Sequence, residues 1–186
     1  MSISWASILK RQGGKHLFEV RSAIKSAGST MGFIVGFSEK LILFHVLGTD
    51  IFRLNGYSAI RIEDVKEYRD FNKDEFWQNR AVRHFKLSPV RPAGILLNSV
   101  PELLATISKR YPLITIHAER TKPDICYIGP LLSMTEATFT IDDLDCNAEW
   151  IGSRRLRFAD VTRVDFGGGY EEALAVTAPK RRKRKQ

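Results

Sequence analysis

Residues 56–65, GYSAIRIEDV, and residues 152–161, GSRRLRFADV, decide the fold because they repeat one pattern 96 positions apart. In both stretches an arginine lies between two apolar residues, an alternation typical of a β-strand with one face towards a core. Two similar stretches at a fixed offset indicate two copies of one structural unit. Four of the ten positions are identical: Gly56 and Gly152, Arg61 and Arg157, Asp64 and Asp160, and Val65 and Val161.

The first stretch belongs to a run of short β-rich segments within residues 31–70. Turn residues separate these segments, and Asn55-Gly56 between two apolar runs is typical of a tight hairpin, since both residues tolerate a positive φ. The sequence therefore predicts antiparallel strands that are adjacent in sequence. They span residues 33–37, 41–47, 51–54, 58–62 and 65–68.

The same order of segments returns within residues 113–176, after a strand predicted at 113–117. Gly152 lies at a turn between two of these segments, as Gly56 does in the first copy. We therefore expect the second copy to repeat the strands of the first. Its segments span residues 125–132, 137–144, 148–151, 154–158 and 161–166.

Two helices are predicted outside the repeats. Residues 16–27, within the N-terminal segment 1–30, carry apolar side chains at helical spacing. In the linker 71–112, the sequence Ser99-Val100-Pro101-Glu102 is typical of a capping box with proline in the first turn, which predicts a helix over 100–111. The basic, serine-containing composition of the N-terminal segment leaves a cleaved organelle transit peptide as an alternative to the first helix.

Five short, bent antiparallel strands, a leading helix and a final strand after an Asp turn resemble the Sm-like barrel family, over residues 16–70 and 124–167. The resemblance implies a mainly β (α+β) fold of two small five-stranded antiparallel barrels, 31–70 and 113–176, joined by a helix-containing segment. The Arg-Gly pair of that family's RNA pocket is replaced here by Arg61-Ile62 or Arg157-Phe158, so the pocket does not transfer. The second half also resembles a run found in uncharacterised bacterial proteins, which carries no known activity.

The net charge of +8 is distributed unevenly along the chain. Residues 1–30 carry +4 (five basic residues and one acid), residues 31–179 carry −2 and the C-terminal segment carries +6. Six consecutive cations favour a disordered tail, 177–186, that binds phosphates without sequence preference. The candidate nucleic-acid-binding residues are Lys180, Arg181, Arg182, Lys183, Arg184 and Lys185 in the tail, and Arg61, Arg154, Arg155, Arg157 and Arg163 on the strands.

No motif in the sequence has all the residues, at the required spacing, of a catalytic, cofactor or metal site. Asp143, Asp145 and Asn147 match the first ligands of a calcium loop, but Ala148 and Arg154 stand where glycine and a bidentate glutamate are required. The four histidines lack metal-ligand spacing, so each is interpreted as structural. We therefore predict no enzyme activity, no cofactor and no metal. Asp64 and Asp160 are expected to accept hydrogen bonds from local backbone N–H groups at turns.

Two classes of function remain from the sequence. The first is a non-enzymatic binding module associated with nucleic acid (RNA) through the basic tail. The second is a protein–protein interaction or immunity-type module that uses an edge strand or the acidic loop 142–149, with the tail only aiding solubility. Two cysteines, no secretory leader and no apolar run near the roughly 20 residues of a membrane span favour the cytoplasm.

Overall fold

The computed structural model describes residues 16–71 and 76–180. Over these residues the chain forms an antiparallel sheet of eleven strands, so the mainly β prediction is confirmed. The strands are β1 (Leu17–Ser22), β2 (Ser29–Phe37), β3 (Leu41–Gly48), β4 (Arg53–Arg61), β5 (Val65–Asp70), β6 (Ile114–His117), β7 (Cys126–Gly129), β8 (Leu131–Met134), β9 (Thr138–Leu144), β10 (Trp150–Arg157) and β11 (Arg163–Phe166).

The strands form one open sheet, and the prediction of two closed five-stranded barrels is wrong. The order across the sheet is β10-β9-β7-β6-β11-β4-β3-β2-β1-β5, with β8 paired to β9 beside this path. The last strand, β11, lies between β6 and β4 and so joins the two halves. Alternation of apolar residues predicts that a segment is a strand, but it does not state which strand will be its neighbour.

The two halves nevertheless repeat one strand order. The first half runs β5-β1-β2-β3-β4 and the second runs β11-β6-β7-β9-β10. The 96-residue offset also holds in the register: adding 96 to both members of the pair Arg21–Glu67 gives the pair His117–Arg163. Short 3-10 turns lie at Ile62–Asp64 and Phe158–Asp160, again 96 residues apart. The repeat is therefore a repeat of pairing geometry as well as of sequence.

One hydrophobic core spans both halves, which explains why they do not close separately. Leu43 and Ala59 of the first half and Phe139 and Phe166 of the second belong to the same buried cluster. The helix α2 (Val100–Ile107) adds Leu103, Leu104 and Ile107, which are fully buried. Because apolar area removed from water is the main stabilising contribution to folding, a shared core favours one continuous body.

The predicted N-terminal helix is wrong. Leu17–Ser22 is the strand β1, and only Lys25–Ala27 forms a 3-10 turn. Leu17 contacts one buried cluster while Phe18 and Val20 contact another, so β1 has a core on both faces. A strand buried on both sides loses the strict alternation that distinguishes it from a helix.

The predicted hairpin at Asn55-Gly56 is also wrong, because both residues lie inside β4. Gly56 has a φ of +69°, and a Cβ at this position would lie 2.5 Å from the backbone nitrogen of Gly168. The glycine is therefore required by a close approach between β4 and the chain that follows β11. The chain instead turns at Thr49–Phe52, where Phe52 has a φ of +48°.

Three helices pack around the sheet within the described residues: α1 (Trp77–His84), α2 and α3 (Gly169–Thr177). The N-cap of the predicted capping box is confirmed, since the Glu102 N–H donates to Ser99 Oγ at 3.3 Å and Pro101 lies in the first turn. The helix ends at Ile107 and not at Tyr111, so the predicted helix was too long. None of the helices in the described part of the chain is long and apolar enough to cross a membrane.

Candidate functional site

A polar network lies where β4, β11 and β6 run side by side in the centre of the sheet. Ser58 donates its hydroxyl hydrogen to Asp165 Oδ1 at 2.6 Å, and His117 Nε2 lies 2.9 Å from Asp165 Oδ2. Arg163 Nε lies 3.2 Å from the same carboxylate oxygen. Asp165 on β11 thus accepts hydrogen bonds from Ser58 on β4 and His117 on β6 and forms an ion pair with Arg163 on its own strand, which ties the two halves of the molecule together.

The network holds Asp165 in its charged form. Burial alone would raise the pKa of Asp165, but the hydrogen bond from His117 and the charge of Arg163 together lower that pKa below its usual value. Ser58 adds a further hydrogen bond to the charged carboxylate. Because Ser58 gives its proton to an aspartate and not to a histidine, its hydroxyl is not activated as a nucleophile.

The network continues to the buried residue Glu119. The hydroxyl of Thr162 lies 2.5 Å from Glu119 Oε2, and Arg163 Nη1 lies 3.5 Å from Glu119 Oε1. Arg163 therefore faces two carboxylates, those of Glu119 and Asp165. This arginine neutralises charge inside the protein, and its guanidinium is not offered to an external phosphate.

A cleft of about 440 Å³ opens above the network, between the first half of the sheet and the start of α3. Its charged lining residues are Glu19, Arg163, Asp165 and Glu171. Three carboxylates face one guanidinium, so the cleft does not attract a polyanion. This surface therefore does not support nucleic-acid binding.

Arg61, another predicted cation, is also used inside the protein. It lies at the end of β4, and its guanidinium donates from Nε to Val161 O at 2.5 Å and from Nη2 to Phe158 O at 2.8 Å. Both acceptors belong to the turn that precedes β11. Arg61 and Arg163 thus hold the two halves together at the contact of β4 with β11, which we call the internal junction.

The three remaining strand cations lie along β10. Arg154 Nε donates to Asp143 Oδ2 at 2.6 Å, and its guanidinium lies over the ring of Tyr127. Arg157 makes two 2.7 Å hydrogen bonds to Asp160, while Arg155 is exposed on the surface. The structure therefore separates the predicted cations into an internal pair and a group on one strand, and no single basic face contains all of them.

The start of the basic tail lies beside the same strand. Trp150 Nε1, at the beginning of β10, donates to Pro179 O at 2.8 Å. Lys180 follows directly and is exposed. The other tail cations, Arg181, Arg182, Lys183, Arg184 and Lys185, lie outside the described residues, so the predicted disorder of this tail is not assessed by the structure.

Asp64 and Asp160 do not cap the turns in the predicted way. Their carboxylates instead bind arginines, Arg120 and Arg157 respectively. Burial raises the pKa of Asp64, and the charge of Arg120 opposes that effect. The hydrogen bond from Arg157 lowers the pKa of Asp160. The repeat thus preserves the two acids but gives each one a different partner.

The acidic loop between β9 and β10 has structural contacts of its own. Asp145 Oδ1 accepts hydrogen bonds from the backbone N–H groups of Asn147 and Glu149, at 2.9 and 2.8 Å. Asp143 is paired with Arg154. A search of the described residues finds no group of three or more His, Cys, Asp or Glu side chains that could hold a metal ion.

The sheet of the described residues ends at β5 on one side and at β10 on the other. There β5 pairs only with β1, and β10 pairs only with β9. Each of these strands therefore presents one row of N–H and C=O groups that no other described strand satisfies. The sequence predicted that an edge strand could be used, but it did not predict which strands would lie at the edges.

Sequence reasoning missed the central network because each histidine was interpreted alone. The alternation of Arg163 and Asp165 on β11 was a signal that both face the same side of the sheet.

Comparison of the chain with protein-family models, with curated proteins and with solved structures finds no match. The resemblance to the Sm-like family therefore stays a prediction.

Proposed function

We propose that the chain is a non-enzymatic protein-interaction module that binds a partner strand along the outer edge of β10, at Arg155 and Arg157. The observation that carries the proposal is the length of this edge, since Trp150–Arg157 is an eight-residue strand with one described neighbour. An extended partner gains main-chain hydrogen bonds along such an edge, and alternate side chains supply specificity.

The direction of the backbone hydrogen bonds supports this use of β10. Phe158 N–H, just after the strand, donates to Ala137 O on the side of β9. Because hydrogen-bonding direction alternates along an antiparallel strand, the N–H groups of Arg155 and Arg157 point away from β9. These groups are therefore available to a partner without any change in the sheet.

The composition of the edge also fits a protein partner. Ile151 is 61% exposed at the start of β10, and Asp145 and Glu149 lie in the adjacent loop. Arg155 and Arg157 provide cations at the other end of the strand. An apolar side chain between charges of both signs is suited to a folded or extended polypeptide more than to a uniform row of phosphates.

The experiment is recovery of tagged protein from its native host, with identification of bound protein and nucleic acid. Arg155→Pro removes the outward N–H group without removing a hydrogen bond to β9, and Arg155→Ala is the matched control because it removes the same charge but keeps the N–H. We expect one protein partner with the unchanged chain and with Arg155→Ala, and its loss with Arg155→Pro. A partner retained by the proline variant would overturn the proposal.

A second candidate function is contact with nucleic acid through the tail. The hydrogen bond from Trp150 to Pro179 supports it, because it holds the residue before the six cations of residues 180–185 at the start of β10, the strand that also carries Arg155 and Arg157. Binding to phosphates by this combined surface would weaken steeply with salt. Recovery of full-length protein and of a 1–179 truncation at two salt concentrations tests it. Nucleic acid retained by the truncation would remove the tail from this role.

A further inference from the structure

The cleft above the polar network has the size of a small-molecule site. Its volume is about 440 Å³, within the range that ligand pockets in proteins occupy. It lies at one end of four strands that are neighbours in the sheet, where β2 and β4 start and β3 and β11 end, and the first turn of α3 forms one wall. Its lining residues lie on β1, β2, β3, β4, β11 and α3 or in the turns beside them, so the cleft is separate from β10.

The wall made by α3 contains a buried carboxylate that has no counter-ion in the described structure. Glu171 is 9% exposed. Its Oε1 accepts the hydroxyl hydrogen of Thr115 at 2.6 Å, and its Oε2 accepts the N–H of Gly168 at 3.2 Å. Both donors are uncharged, and no lysine, arginine or histidine within residues 16–71 and 76–180 forms an ion pair with Glu171. Buried carboxylates are normally paired, so this wall lacks the positive group that usually accompanies one.

The opposite end of the cleft carries a second acid, Glu19. Glu19 lies on β1, four strand positions away from β11 in the order of the sheet, whereas Glu171 is bonded to Thr115 on β6, beyond β11. The Oε1 of Glu19 accepts the hydroxyl hydrogen of Ser29 at 2.9 Å. Arg69 is its cross-strand neighbour, but the described structure has no ion pair between them. The two ends of the cleft therefore each present a carboxylate without a described counter-ion.

Apolar and aromatic side chains line the cleft between these two acids. Met31 and Val46 come from β2 and β3, and Tyr57 and Phe166 come from β4 and β11. The rings of Tyr57 and Phe166 are stacked with their centroids 5.3 Å apart. Such a wall packs against a hydrocarbon chain, and the faces of aromatic rings attract a nearby cation. The cleft thus has an acid at each end and an apolar wall between them.

We propose that this cleft binds a linear aliphatic diamine or polyamine, with one ammonium group beside Glu171, another beside Glu19 and the methylene chain against the apolar wall. An ammonium group donates three hydrogen bonds, and carboxylates are its strongest acceptors. The inference goes beyond the proposed function, because it assigns a small-molecule ligand to a site that the β10 edge does not share.

The charge of the lining favours two ammonium groups over one. Of the three carboxylates that line the cleft, Asp165 is paired with Arg163, the one guanidinium of the lining. Glu19 and Glu171 remain, and a diamine supplies two positive charges to balance them, whereas a monoamine leaves one acid unbalanced. A diamine also joins both contacts in one molecule, so the second contact forms at a high effective concentration.

The first test measures the affinity of the purified full chain for amines by isothermal titration calorimetry at low salt. The probes are 1,4-diaminobutane, 1,6-diaminohexane and spermidine, and hexylamine is the control with a single charge. We expect one-to-one binding of at least one of the three probes, about tenfold tighter than the binding of hexylamine. The inference is overturned if none of the three binds at millimolar concentration, or if hexylamine binds as tightly as the best of them.

The second test uses charge-removing variants inside and outside the cleft. Glu171→Gln keeps the size of the side chain and one acceptor oxygen, and Glu172→Gln is the matched control, because it removes the same charge from the next, exposed residue of α3. Glu171→Gln should weaken diamine binding by about tenfold, and Glu172→Gln by less than about twofold. Equal effects would assign the binding to the overall charge of the protein and overturn the inference.

Glu19→Gln tests the other end of the cleft and keeps the question open if Glu171→Gln does not fold, which circular dichroism would show. It should bring the affinity for the diamine close to that for hexylamine, because only one acid then remains to bind an ammonium group. Diamine binding that is unchanged in Glu19→Gln would contradict the arrangement with an acid at each end.

The third test locates the ligand through the methyl resonances of methionine in the 13C-labelled chain. Met31 lines the cleft, whereas Met134 lies on β8, which pairs with β9 in the other half of the molecule. We expect the Met31 resonance, assigned with Met31→Leu, to shift and saturate with the diamine while that of Met134 stays in place. An unshifted Met31 resonance at saturation would overturn the inference.

Arg155→Pro keeps the failure of this inference distinguishable from the failure of the proposed function. Diamine binding should be the same in this variant, because β10 contributes nothing to the lining. If diamines do not bind while a protein is captured in an Arg155→Pro-sensitive manner, the inference fails and the proposed function stands. Diamine binding without such a partner would give the reverse result.

Discussion

The strands β4 and β10 occupy the same place in the two halves of the molecule, yet among the described strands β4 has two neighbours and β10 has one. Arg61 on β4 donates to two carbonyl groups across the internal junction, whereas Arg157 on β10 binds an aspartate three residues away. The local sequence around the two arginines follows one pattern. The contacts of such an arginine therefore depend on which strand lies beside it more than on the residues that surround it in the sequence.

The strands β11 and β5 show the same contrast. Phe166, at the end of β11, is fully buried, whereas its counterpart in the repeat, Asp70, lies at a sheet edge. Asp165, the centre of the polar network, corresponds to Arg69, which is exposed. The two strands thus keep their position in the fold but differ in the side chains that suit an internal or an edge position.

The largest difference is expected between Phe166→Ala and Asp70→Ala. The ring of Phe166 stacks 5.3 Å from Tyr57 and lies 4.9 Å from Tyr111, so its removal leaves a cavity beside the internal junction. The cost should be about 3 to 5 kcal/mol in the free energy of unfolding, measured by urea denaturation. Asp70→Ala should cost less, because this smaller and only partly buried side chain leaves a smaller cavity than the fully buried ring. Similar costs at both positions would contradict the distinction between these strands.

A smaller difference is expected between Arg61→Ala and Arg157→Ala. Arg61 loses two hydrogen bonds to buried carbonyl groups, so its substitution should lower the free energy of unfolding by about 2 to 3 kcal/mol. Arg157→Ala should leave the stability of the monomer nearly unchanged, because its ion pair is exposed. Both variants are compared in denaturant titrations at low protein concentration. A large loss from Arg157→Ala alone would reverse the comparison.

The polar network should make stability depend on pH. Since the folded protein lowers the pKa of Asp165, the stabilisation is present above the unfolded pKa and is lost as the pH falls through the folded pKa. Asp165→Asn should cost about 1 to 2 kcal/mol at neutral pH and should flatten this acid dependence. Urea titrations at several pH values measure both effects. An unchanged slope in the variant would show that other carboxylates cause the acid sensitivity.

Ser58→Ala is a useful control for the same network, because it removes one hydrogen bond to Asp165 but keeps the carboxylate. It should leave the direction of the pH dependence unchanged. A loss of acid sensitivity in this variant would assign the effect to the hydroxyl and contradict the role given to the charge.

The smallest effect is expected at Trp150, where β10 meets the start of the tail. Trp150→Phe keeps most of the ring but removes the hydrogen bond to Pro179 O, at a cost of about 1 kcal/mol or less. We expect a protease that cleaves after basic residues to cut the tail of this variant faster, with little change in the midpoint of its unfolding. An unchanged cleavage rate would mean that this hydrogen bond does not hold the tail beside β10.

The sequence predicted several local elements correctly. Ser99 and Glu102 indicated the start of α2, and the apolar β-branched residues at 114–117 indicated β6. Local patterns failed at β1, which has a core on both faces, and at Gly56, whose positive φ serves a close contact inside a strand. The residues that contact β1 and Gly56 lie far away in sequence, and short-range sequence patterns contain no information about such contacts.

The mainly β character and the double occurrence of one unit could be predicted without the fold, because alternation and a 96-residue offset are properties of the amino-acid sequence. The fold was needed to show that the two units share one open sheet, that β11 lies against β4, and that β5 and β10 are the end strands of the described sheet. The physical reason is distance along the chain. Arg61 finds its acceptor at Val161, 100 residues away, and such a contact depends on the whole fold.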